Sequence, residues 1–344
     1  MLVWPSLADS VTFAGVKIAL IHDAVLPVKK YGGTERVVWW LGKALALSGV
    51  DVSLVCSPGS ECNWAKLVHP DFNRPLEPQL PGIDLLHYFN TPNETPTKPH
   101  VVTIGGNGKP GEAFLKNTVF VSRNHARRHG ASCFVYNGVD PADYFYSEKK
   151  DGSLLFLAKA AWRVKNVGGA IRIARKAHRD LNILGGKRWF LNDWRGVHWR
   201  GMIGGQEKAE YLARSSALLF PVLWNEPFGL AVVEALVSGT PVFATRWGSL
   251  PELIGPGVGR VCENDSEFLY ALACLDSFRS KDCRDWAVEK FSHLKMAEKY
   301  LLLYEKVLNG ESLNASIPVT QEALDALQSI PFRAAGESSV EQPA

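Results

Sequence analysis

The sequence predicts an α/β protein with two domains, each built on a parallel sheet. Short apolar segments alternate with helical stretches along most of the 344 residues, as expected for strands that are buried on both faces. In two places, residues 16–56 and 217–245, a pair of such segments encloses a helix. A strand–helix–strand unit of this kind takes a right-handed crossover in nearly all parallel sheets. The length allows two domains of ordinary size.

The composition is that of a globular enzyme. Hydrophobic residues make up 46% of the chain and charged residues 21%, and the net charge of +3 is too small to indicate nucleic acid binding. No window approaches about 18 consecutive apolar residues, so no membrane span is expected. Pro5 and Asp9, with no basic residue before them, make the N-terminus a poor signal peptide. We therefore expect a cytoplasmic protein.

The six cysteines indicate neither a metal site nor a disulfide framework. They form no C-x-x-C pair and show no Cys/His spacing typical of a metal site. Several follow apolar residues, as Cys56 and Cys262 each follow a valine. Buried free thiols are therefore expected.

The first strand–loop–helix unit predicts an anion-binding loop. Residues 16–21 form the first predicted strand, and the loop that follows ends in Gly32 and Gly33. Thr34 is the expected N-cap of a helix over residues 35–48. Glycines let a backbone approach a phosphate closely, and a helix N-terminus attracts the anion. A lone Gly-Gly is more often a turn, so this unit is weak evidence by itself.

The rest of the N-terminal half consists of short strands and one glycine-rich run. Strands are predicted at residues 51–56, 83–88, 100–104 and 118–122, and a short basic helix at 125–129. Residues 105–111 contain the pattern G-x-G-x-x-G after a strand, but Pro110 disfavours the helix that a dinucleotide-binding fingerprint should open. We therefore predict a flexible loop here.

The C-terminal half repeats the alternation of strand and helix. Strands are predicted at residues 153–157, 181–184, 197–202, 217–223 and 241–245, and helices at 168–178, 206–215, 230–238 and within 266–308. The loop after the first of these strands is basic and contains Lys159, Arg163 and Lys165.

Two glutamates make residues 217–254 the candidate functional site. Glu226 lies in a loop at the carboxyl end of a strand, where open α/β sheets bind ligands. Glu234 lies on the following helix, whose N-terminus at residues 228–230 offers unpaired N–H groups to an anion. Carboxylates on both sides of an anion site suit a ligand with hydroxyls flanking a phosphate, and a nucleotide-sugar has that layout. The alternative is that both glutamates are merely solvated.

Two segments resemble a known family. The donor-binding signature of glycosyltransferase family 4, the retaining GT-B enzymes, resembles the segment NEPFGLAVVEALVSGTPVFATRWGSLPELI with its E-x7-E pair. The N-terminal segment of the same family is similar to GGTERVVWWLGKALALSGVDVSLV, and the resemblance covers residues 16–308. It implies the GT-B fold, in which two Rossmann-like α/β/α domains face each other across a cleft and the C-terminal helix crosses back to the N-terminal domain.

The resemblance also implies domain boundaries. The family's linker resembles YNGVDPADYF, which places the boundary near residues 141–150. The expected division is an acceptor-side domain at 1–145 with a returning helix at about 294–310, a donor domain at 146–293, and a flexible tail at 311–344.

By this resemblance, Glu226 touches the hydroxyls of the donor sugar and Glu234 touches the ribose. The backbone at Phe228, Gly229 and Leu230 would face the sugar and the diphosphate. The Gly-Gly loop, Gly32 and Gly33, would meet the donor diphosphate or the acceptor. The nucleobase would lie near three residues held mostly through their backbone: Gly201, Met202 and Ile203.

The expected phosphate ligands and histidines depart from the family pattern. Lys159 replaces the family's arginine and Lys165 its lysine, with one extra residue between them, and Arg163 could substitute for either. The alternative is that these basic residues lie on a solvated loop. His87 matches a position where members often carry a histidine, although a lone histidine is more often structural. A second histidine of the family is replaced by residues 105–106, Gly-Gly.

The function implied by the resemblance is a retaining glycosyltransferase, a hexosyltransferase. It would move a sugar from a nucleoside-diphosphate sugar, UDP-sugar first and GDP-sugar next, to a saccharide, lipid or natural-product hydroxyl. No D-x-D motif occurs, and we expect a site without metal or other cofactor. Retention would proceed by same-face attack, with Glu226 as nucleophile the alternative. Family analogy suggests polysaccharide biosynthesis.

Other functions stay open from the sequence. They are a GT-B nucleotide-sugar epimerase, a non-catalytic nucleotide-sugar binder and, with less support, a glycogen-type phosphorylase or a nicotinamide-dependent dehydrogenase. A lipid-linked acceptor would bring the protein to the inner face of the membrane through a small basic patch of four residues: Lys29, Lys30, Arg127 and Arg128. No nucleic acid partner is expected.

Overall fold

The computed structural model describes residues 13, 15–30, 32–186 and 196–321, and this part of the chain forms two α/β domains. Each domain contains a six-stranded sheet in which the first strand lies at the centre and the order reverses beside it. All described pairings between these strands are parallel. The predicted fold class, two Rossmann-like α/β/α domains in the GT-B arrangement, is confirmed.

The N-terminal sheet has the strand order β3-β2-β1-β4-β5-β6. Its strands are β1 (Lys17–Ile21), β2 (Asp51–Val55), β3 (Lys66–Val68), β4 (Leu85–Tyr88), β5 (His100–Ile104) and β6 (Thr118–Phe120). Its helices are α1 (Gly33–Leu47) and α2 (Arg123–Arg128).

The C-terminal sheet has the equivalent order β12-β11-β10-β7-β8-β9. Its strands are β7 (Leu154–Leu157), β8 (Leu181–Leu184), β9 (Val197–Gly201), β10 (Ala217–Phe220), β11 (Val242–Thr245) and β12 (Gly259–Cys262). The helices are α3 (Val167–Lys176), α4 (Gly205–Arg214), α5 (Leu230–Val237), α6 (Leu250–Leu253), α7 (Asp265–Ala273), α8 (Ser280–Phe291) and α9 (His293–Leu308).

The chain crosses between the domains at two adjacent points. The amide of Val139 donates to the carbonyl of Phe291 at 2.9 Å, and the amide of His293 donates to the carbonyl of Val139 at 2.8 Å. Gly138 permits this approach, because a Cβ there would lie 2.4 Å from the carbonyl oxygen of Ser292. The outgoing linker and the returning chain therefore run side by side.

Helix α9 returns to the N-terminal domain, as predicted. The hydroxyl of Tyr304 lies 2.7 Å from Nδ1 of His87, and the hydroxyl of Tyr300 lies 2.7 Å from Oγ1 of Thr103. Both tyrosines are fully buried. Their hydroxyls end at polar partners on β4 and β5, so burying them leaves their polar groups bonded.

Residues 311–321 also pack on the N-terminal domain. Nδ2 of Asn314 donates to the carbonyls of Lys116 and Thr118, and the amide of Val319 donates to the carbonyl of His129. The prediction of a flexible tail beginning at 311 is therefore wrong for this segment, and residues 322–344 lie outside the described residues.

The expectation of buried free thiols is met in part, since three of the six cysteines are only half-buried. All six cysteines are free, and Cys56, Cys262 and Cys283 are buried. Within the described residues, none of the helices is both long and apolar enough to cross a bilayer. The N-terminal residues Pro5 and Asp9 lie outside the described part.

Candidate functional site

A cleft of about 470 Å³ separates the two domains. It is lined by residues that follow strands of both sheets, where open α/β sheets bind ligands. Most of the predicted site residues line it: Gly32, Gly33, Lys159, Lys165, Met202, Ile203, Glu226, Phe228, Gly229, Leu230 and Glu234. The structure therefore brings together the two motifs that the sequence keeps about 200 residues apart.

Two helix N-termini face each other in this cleft. Helix α1 has Gly32 as its N-cap and α5 has Gly229, and neither helix has a capping side chain. A Cβ at Gly33 would lie 3.6 Å from Cδ1 of Leu230, so the two ends are adjacent. Thr34, the expected N-cap, lies inside α1, which begins earlier than predicted. The first N–H groups of both helices could therefore bind an anion here.

Glu226 is paired with one cation and one indole. It is 7% exposed, and its Oε2 accepts from Nζ of Lys165 at 2.6 Å and from Nε1 of Trp224 at 2.6 Å. Nζ of Lys165 also lies 4.4 Å from the centre of the Trp224 ring. The lysine therefore lies between the carboxylate and the aromatic face, and a phosphate bound nearby would share its charge.

The loop after β11 holds the loop that carries Glu226. The amide of Ser249 donates to the carbonyl of Glu226 at 3.0 Å, and the amide of Gly248 donates to Oδ1 of Asn225 at 3.1 Å. Gly248 has φ 68°, and a Cβ there would lie 2.2 Å from the carbonyl oxygen of Glu226. Only glycine fits this position, because both the backbone conformation and the close approach exclude a side chain.

Glu234 is the centre of an ion cluster between the domains. It is 3% exposed, and its Oε1 accepts from Nη1 of Arg36 at 2.9 Å, Nζ of Lys208 at 2.7 Å and the hydroxyl of Tyr144 at 2.7 Å. Burial alone would raise the pKa of Glu234, but Lys208 and Arg36 outweigh burial and hold that pKa below its usual value. Glu234 is therefore ionised at neutral pH.

Three predicted site residues lie elsewhere. His87 is 0% exposed and bonds to Thr103 and Tyr304 within the core, so the alternative of a structural histidine is correct. Burial lowers the pKa of His87 to about 3. Arg163 is exposed on the short 3-10 helix Arg163–Lys165, and Gly201 ends β9. Neither is among the described residues that line the cleft.

The loop at residues 105–111 begins as an ordered wall of the cleft. Gly105 and Gly106 line the cleft, and the carbonyl of Gly106 lies 2.9 Å from Nε2 of His125. The carbonyl of Asn107 lies 3.0 Å from Nε2 of His129. Two buried imidazoles thus hold the start of the loop, where a flexible loop was predicted. No helix opens among residues 105–111, which agrees with rejecting the dinucleotide pattern.

Several residues of the site were not found from the sequence. Arg36 and Lys208 line the cleft, and Tyr144 binds Glu234 from the linker. They lie at widely separated positions, and no local spacing relates them to Glu234. Trp224 was also missed, although its position two residues before Glu226 is a local signal that could have identified it as a partner of that carboxylate.

Cations exceed carboxylates along the cleft. Among its described lining residues are five cations and three carboxylates: Lys30, Arg36, Lys159, Lys165 and Lys208, against Glu35, Glu226 and Glu234. The excess of two positive charges favours an anionic ligand. No group of three or more His, Cys, Asp or Glu in the described chain is arranged to hold a metal ion.

Comparisons with known proteins relate the C-terminal domain to glycosyltransferases. A model of the family Glycosyl transferases group 1 matches residues 151–276. The MMP alpha-(1->4)-mannosyltransferase of Mycolicibacterium hassiacum is 36% identical over 122 residues, which is 33% of this chain and 29% of that protein. The chain thus matches about a third or less of the length of these curated relatives.

Solved structures match over most of the chain. AviGT4, a glycosyltransferase involved in avilamycin A biosynthesis, is 25% identical with a TM-score of 0.75, covering 86% of this chain and 99% of AviGT4. Anabaena Alr3699/HepE in complex with UDP and glucose is 13% identical with a TM-score of 0.60, covering 85% and 100%, and shares the fold. The comparisons support the prediction of a transferase. Residues 151–276 therefore match the family Glycosyl transferases group 1, and the chain shares the GT-B fold of the solved structures.

Proposed function

We propose that this protein is a retaining glycosyltransferase of family 4 that uses a nucleoside-diphosphate sugar. The observation that carries the proposal is the pair of uncapped helix N-termini, at Gly33 and Leu230, facing each other between the buried carboxylates Glu226 and Glu234. A ligand with an anionic centre and a hydroxyl-bearing group on each side fits this arrangement.

The diphosphate would lie between the two helix ends. Lys159 and Lys165 supply positive charge from the C-terminal domain, and the amides after Gly32 supply N–H groups from the N-terminal domain. These groups are in place before reaction, so they can stabilise the charge that develops on the leaving diphosphate. We propose that transfer needs no metal ion for this reason.

The nucleoside would lie on the Glu234 side. Oε1 of Glu234 accepts from Arg36, Lys208 and Tyr144, and its other oxygen would accept from a ribose hydroxyl. Met202 and Ile203 line the same cleft and would contact the base. We propose a UDP-sugar as the first choice of donor and a GDP-sugar as the second.

The sugar would lie on the Glu226 side, beside the wall formed by Gly105 and Gly106. In transfer, the bond between the anomeric carbon and the diphosphate oxygen breaks, and the acceptor oxygen bonds to the same face. The acceptor's proton then passes to the leaving diphosphate. Attack by Glu226 is the alternative route to retention, and the hydrogen bonds on its Oε2 leave Oε1 to approach the sugar.

The acceptor is a hydroxyl of a saccharide, a lipid-linked molecule or a small molecule. Membrane contact through the predicted basic patch is weakened by the structure. Arg128 is buried, whereas Lys29, Lys30 and Arg127 are exposed. We propose a cytoplasmic protein, peripheral to the membrane only if its acceptor is lipid-linked.

One observation favours a second candidate, a non-catalytic nucleotide-sugar binder. Gly105 and Gly106 place no side chain where family members carry a histidine, so neither position supplies an imidazole to exchange a proton. A binder would take up a nucleotide-sugar without releasing its nucleoside diphosphate. An epimerase would instead release a changed nucleotide-sugar without an acceptor.

A ligand panel followed by a product assay tests the proposal. UDP, GDP, ADP and NAD are added separately at about a hundred times their dissociation constants, where binding raises the unfolding free energy by roughly 2.7 kcal/mol. We expect one nucleoside diphosphate to raise the melting temperature, and its sugar conjugate to release that diphosphate. Stabilisation by NAD alone would contradict the proposal, and binding without release would identify a binder.

A further inference from the structure

The loop that carries Glu226 is also held by the other domain. Nδ2 of Asn107 donates to the carbonyl of Asn225 at 3.0 Å, and Oγ of Ser122 donates to the carbonyl of Pro227 at 2.7 Å. These two carbonyls belong to the residues immediately before and after Glu226. The backbone on both sides of the carboxylate is thus fixed by side chains of the N-terminal domain.

Asn107 is itself fixed. It is 6% exposed, and its Oδ1 accepts from Nη1 of Arg128 at 3.0 Å. An arginine only donates and a carbonyl only accepts, so these partners determine which end of the amide is nitrogen. The Asn107 carbonyl lies 3.0 Å from Nε2 of His129. The Nδ2 group that donates to Asn225 is therefore held in place by Arg128 and His129.

Ser122 is fixed in a different way. It is 0% exposed and is the N-cap of α2, where its Oγ accepts from the amide of His125 at 3.1 Å. Because that contact uses an oxygen lone pair, the single hydroxyl proton is free to point at the carbonyl of Pro227. One side chain thus caps a helix of one domain and binds the loop of the other.

We propose that Asn107 and Ser122 are positioning residues for glycosyl transfer, acting through the loop at residues 225–227. This proposal rests on the proposed role of Glu226. Both contacts join the N-terminal domain to the C-terminal domain, so separation of the domains at this point would break them. Closure would therefore place Glu226 against the donor sugar at the same moment that it excludes water.

The test uses two variants, each with a matched control. Asn107→Asp keeps an acceptor for Arg128 but has no proton to donate to Asn225. Its control is Asn314→Asp, since Asn314 is a buried asparagine whose Nδ2 donates to carbonyls away from the cleft.

The second variant, Ser122→Ala, removes a helix cap together with the contact to Pro227. Its control is Ser292→Ala, since Ser292 is a buried serine that caps α9 by accepting from the amide of Lys295.

Two measurements separate positioning from folding. The first is the rate of nucleoside diphosphate release at saturating donor, with the affinity for the same diphosphate. The second is hydrogen exchange of the amides in residues 224–229. We expect each variant to lower the rate about tenfold, to leave the affinity within about twofold, and to speed exchange in this segment. The controls should change neither the rate nor this exchange.

Wild-type rates in Asn107→Asp and Ser122→Ala would overturn the proposal. So would losses of the same size in the controls, because they would trace the effect to stability. If the wild type releases nothing from any donor, the proposed function fails. Hydrogen exchange alone then tests whether Asn107 and Ser122 hold the loop at residues 225–227, and unchanged exchange at residues 224–229 in the variants overturns that claim.

Discussion

Glu226 and Glu234 are both buried carboxylates, but their partners differ. Glu234 accepts from two cations and a phenol, whereas Glu226 accepts from Lys165 and the indole of Trp224. A donor diphosphate beside Lys165 would draw part of that cation's charge away from Glu226. The Glu226 carboxylate would then be under-neutralised next to the sugar, where positive charge develops in the transition state.

The first prediction concerns Glu226. The variant Glu226→Gln keeps an acceptor for Lys165 and Trp224 but removes the negative charge. We expect the rate of nucleoside diphosphate release to fall on the order of 100-fold or more, with the affinity for the free diphosphate retained. Initial rates and calorimetry measure the two quantities. Glu263→Gln, at an exposed glutamate paired with Arg246, is the control, and an active Glu226→Gln would contradict the assigned role.

The second prediction concerns Glu234. The variant Glu234→Gln removes the charge that, under the proposed function, would accept from a ribose hydroxyl, but it keeps an oxygen for Arg36, Lys208 and Tyr144. We expect UDP to bind about tenfold more weakly. Inorganic diphosphate has no ribose, so its affinity should not fall. Titration calorimetry with both ligands checks this, and an equal loss for both would rule out a specific contact with the ribose.

The sequence predicted those groups of the site that lie close together in it. Glu226 and Glu234 are joined by one loop and one helical turn, so their spacing was informative. The partners of Glu234 come from α1, the linker and α4, and only the packed fold brings them to one oxygen atom. His87 was predicted as a site residue, and its strand was placed correctly. Its side chain, however, points into the core and not into the cleft.

At the scale of elements, the strands that were missed lie at the edges of the two sheets. β3 and β12 each pair with only one named neighbour. Their burial is incomplete, so they lack the continuous apolar run that identifies a central strand. The interior strands were predicted to within a few residues, because burial on both faces imposes that run. The N-terminus of α1 was misplaced because Gly32, not a capping side chain, begins it.

The third prediction concerns the contact between α9 and the N-terminal sheet. Burial lowers the pKa of His87 to about 3 from a usual value of 6.5. Between these pH values, His87 binds a proton more readily in the unfolded chain than in the folded chain. The contribution of the neutral His87 side chain to the free energy of unfolding is therefore complete above pH 6.5. It is lost as the pH falls toward 3, at about 1.4 kcal/mol per pH unit.

Urea titrations of the wild type and His87→Gln at pH values between about 6 and 4.5 measure this effect. We expect the variant to have the smaller pH dependence of its unfolding free energy. His125 and His129, whose pKa values burial also lowers, should keep that dependence above zero. Identical slopes in the two proteins would mean that His87 is already protonated or exposed in the folded state.

At the scale of the whole molecule, neither domain by itself supplies all the groups of the proposed anion site. The C-terminal domain supplies Lys159, Lys165 and the N-terminus of α5, and the N-terminal domain supplies the N-terminus of α1. Arg36 and Glu234 form an ion pair across the same interface. Under the proposed function, closing the cleft would bring these positively charged groups together around the donor diphosphate.

The last prediction follows from that assembly. If protein groups neutralise the leaving diphosphate, removal of divalent metal should not change the rate of its release. We expect equal initial rates in buffer, after treatment with EDTA, and with Mg²⁺ or Mn²⁺ added. The matched variant is Lys159→Ala, which removes one cation of the cleft and should slow release on the order of 10- to 100-fold in all three conditions. If EDTA abolishes the activity and Mg²⁺ restores it, a metal ion supplies the neutralising charge instead. If Mg²⁺ restores only the activity of Lys159→Ala, a metal ion can take the place of the lysine.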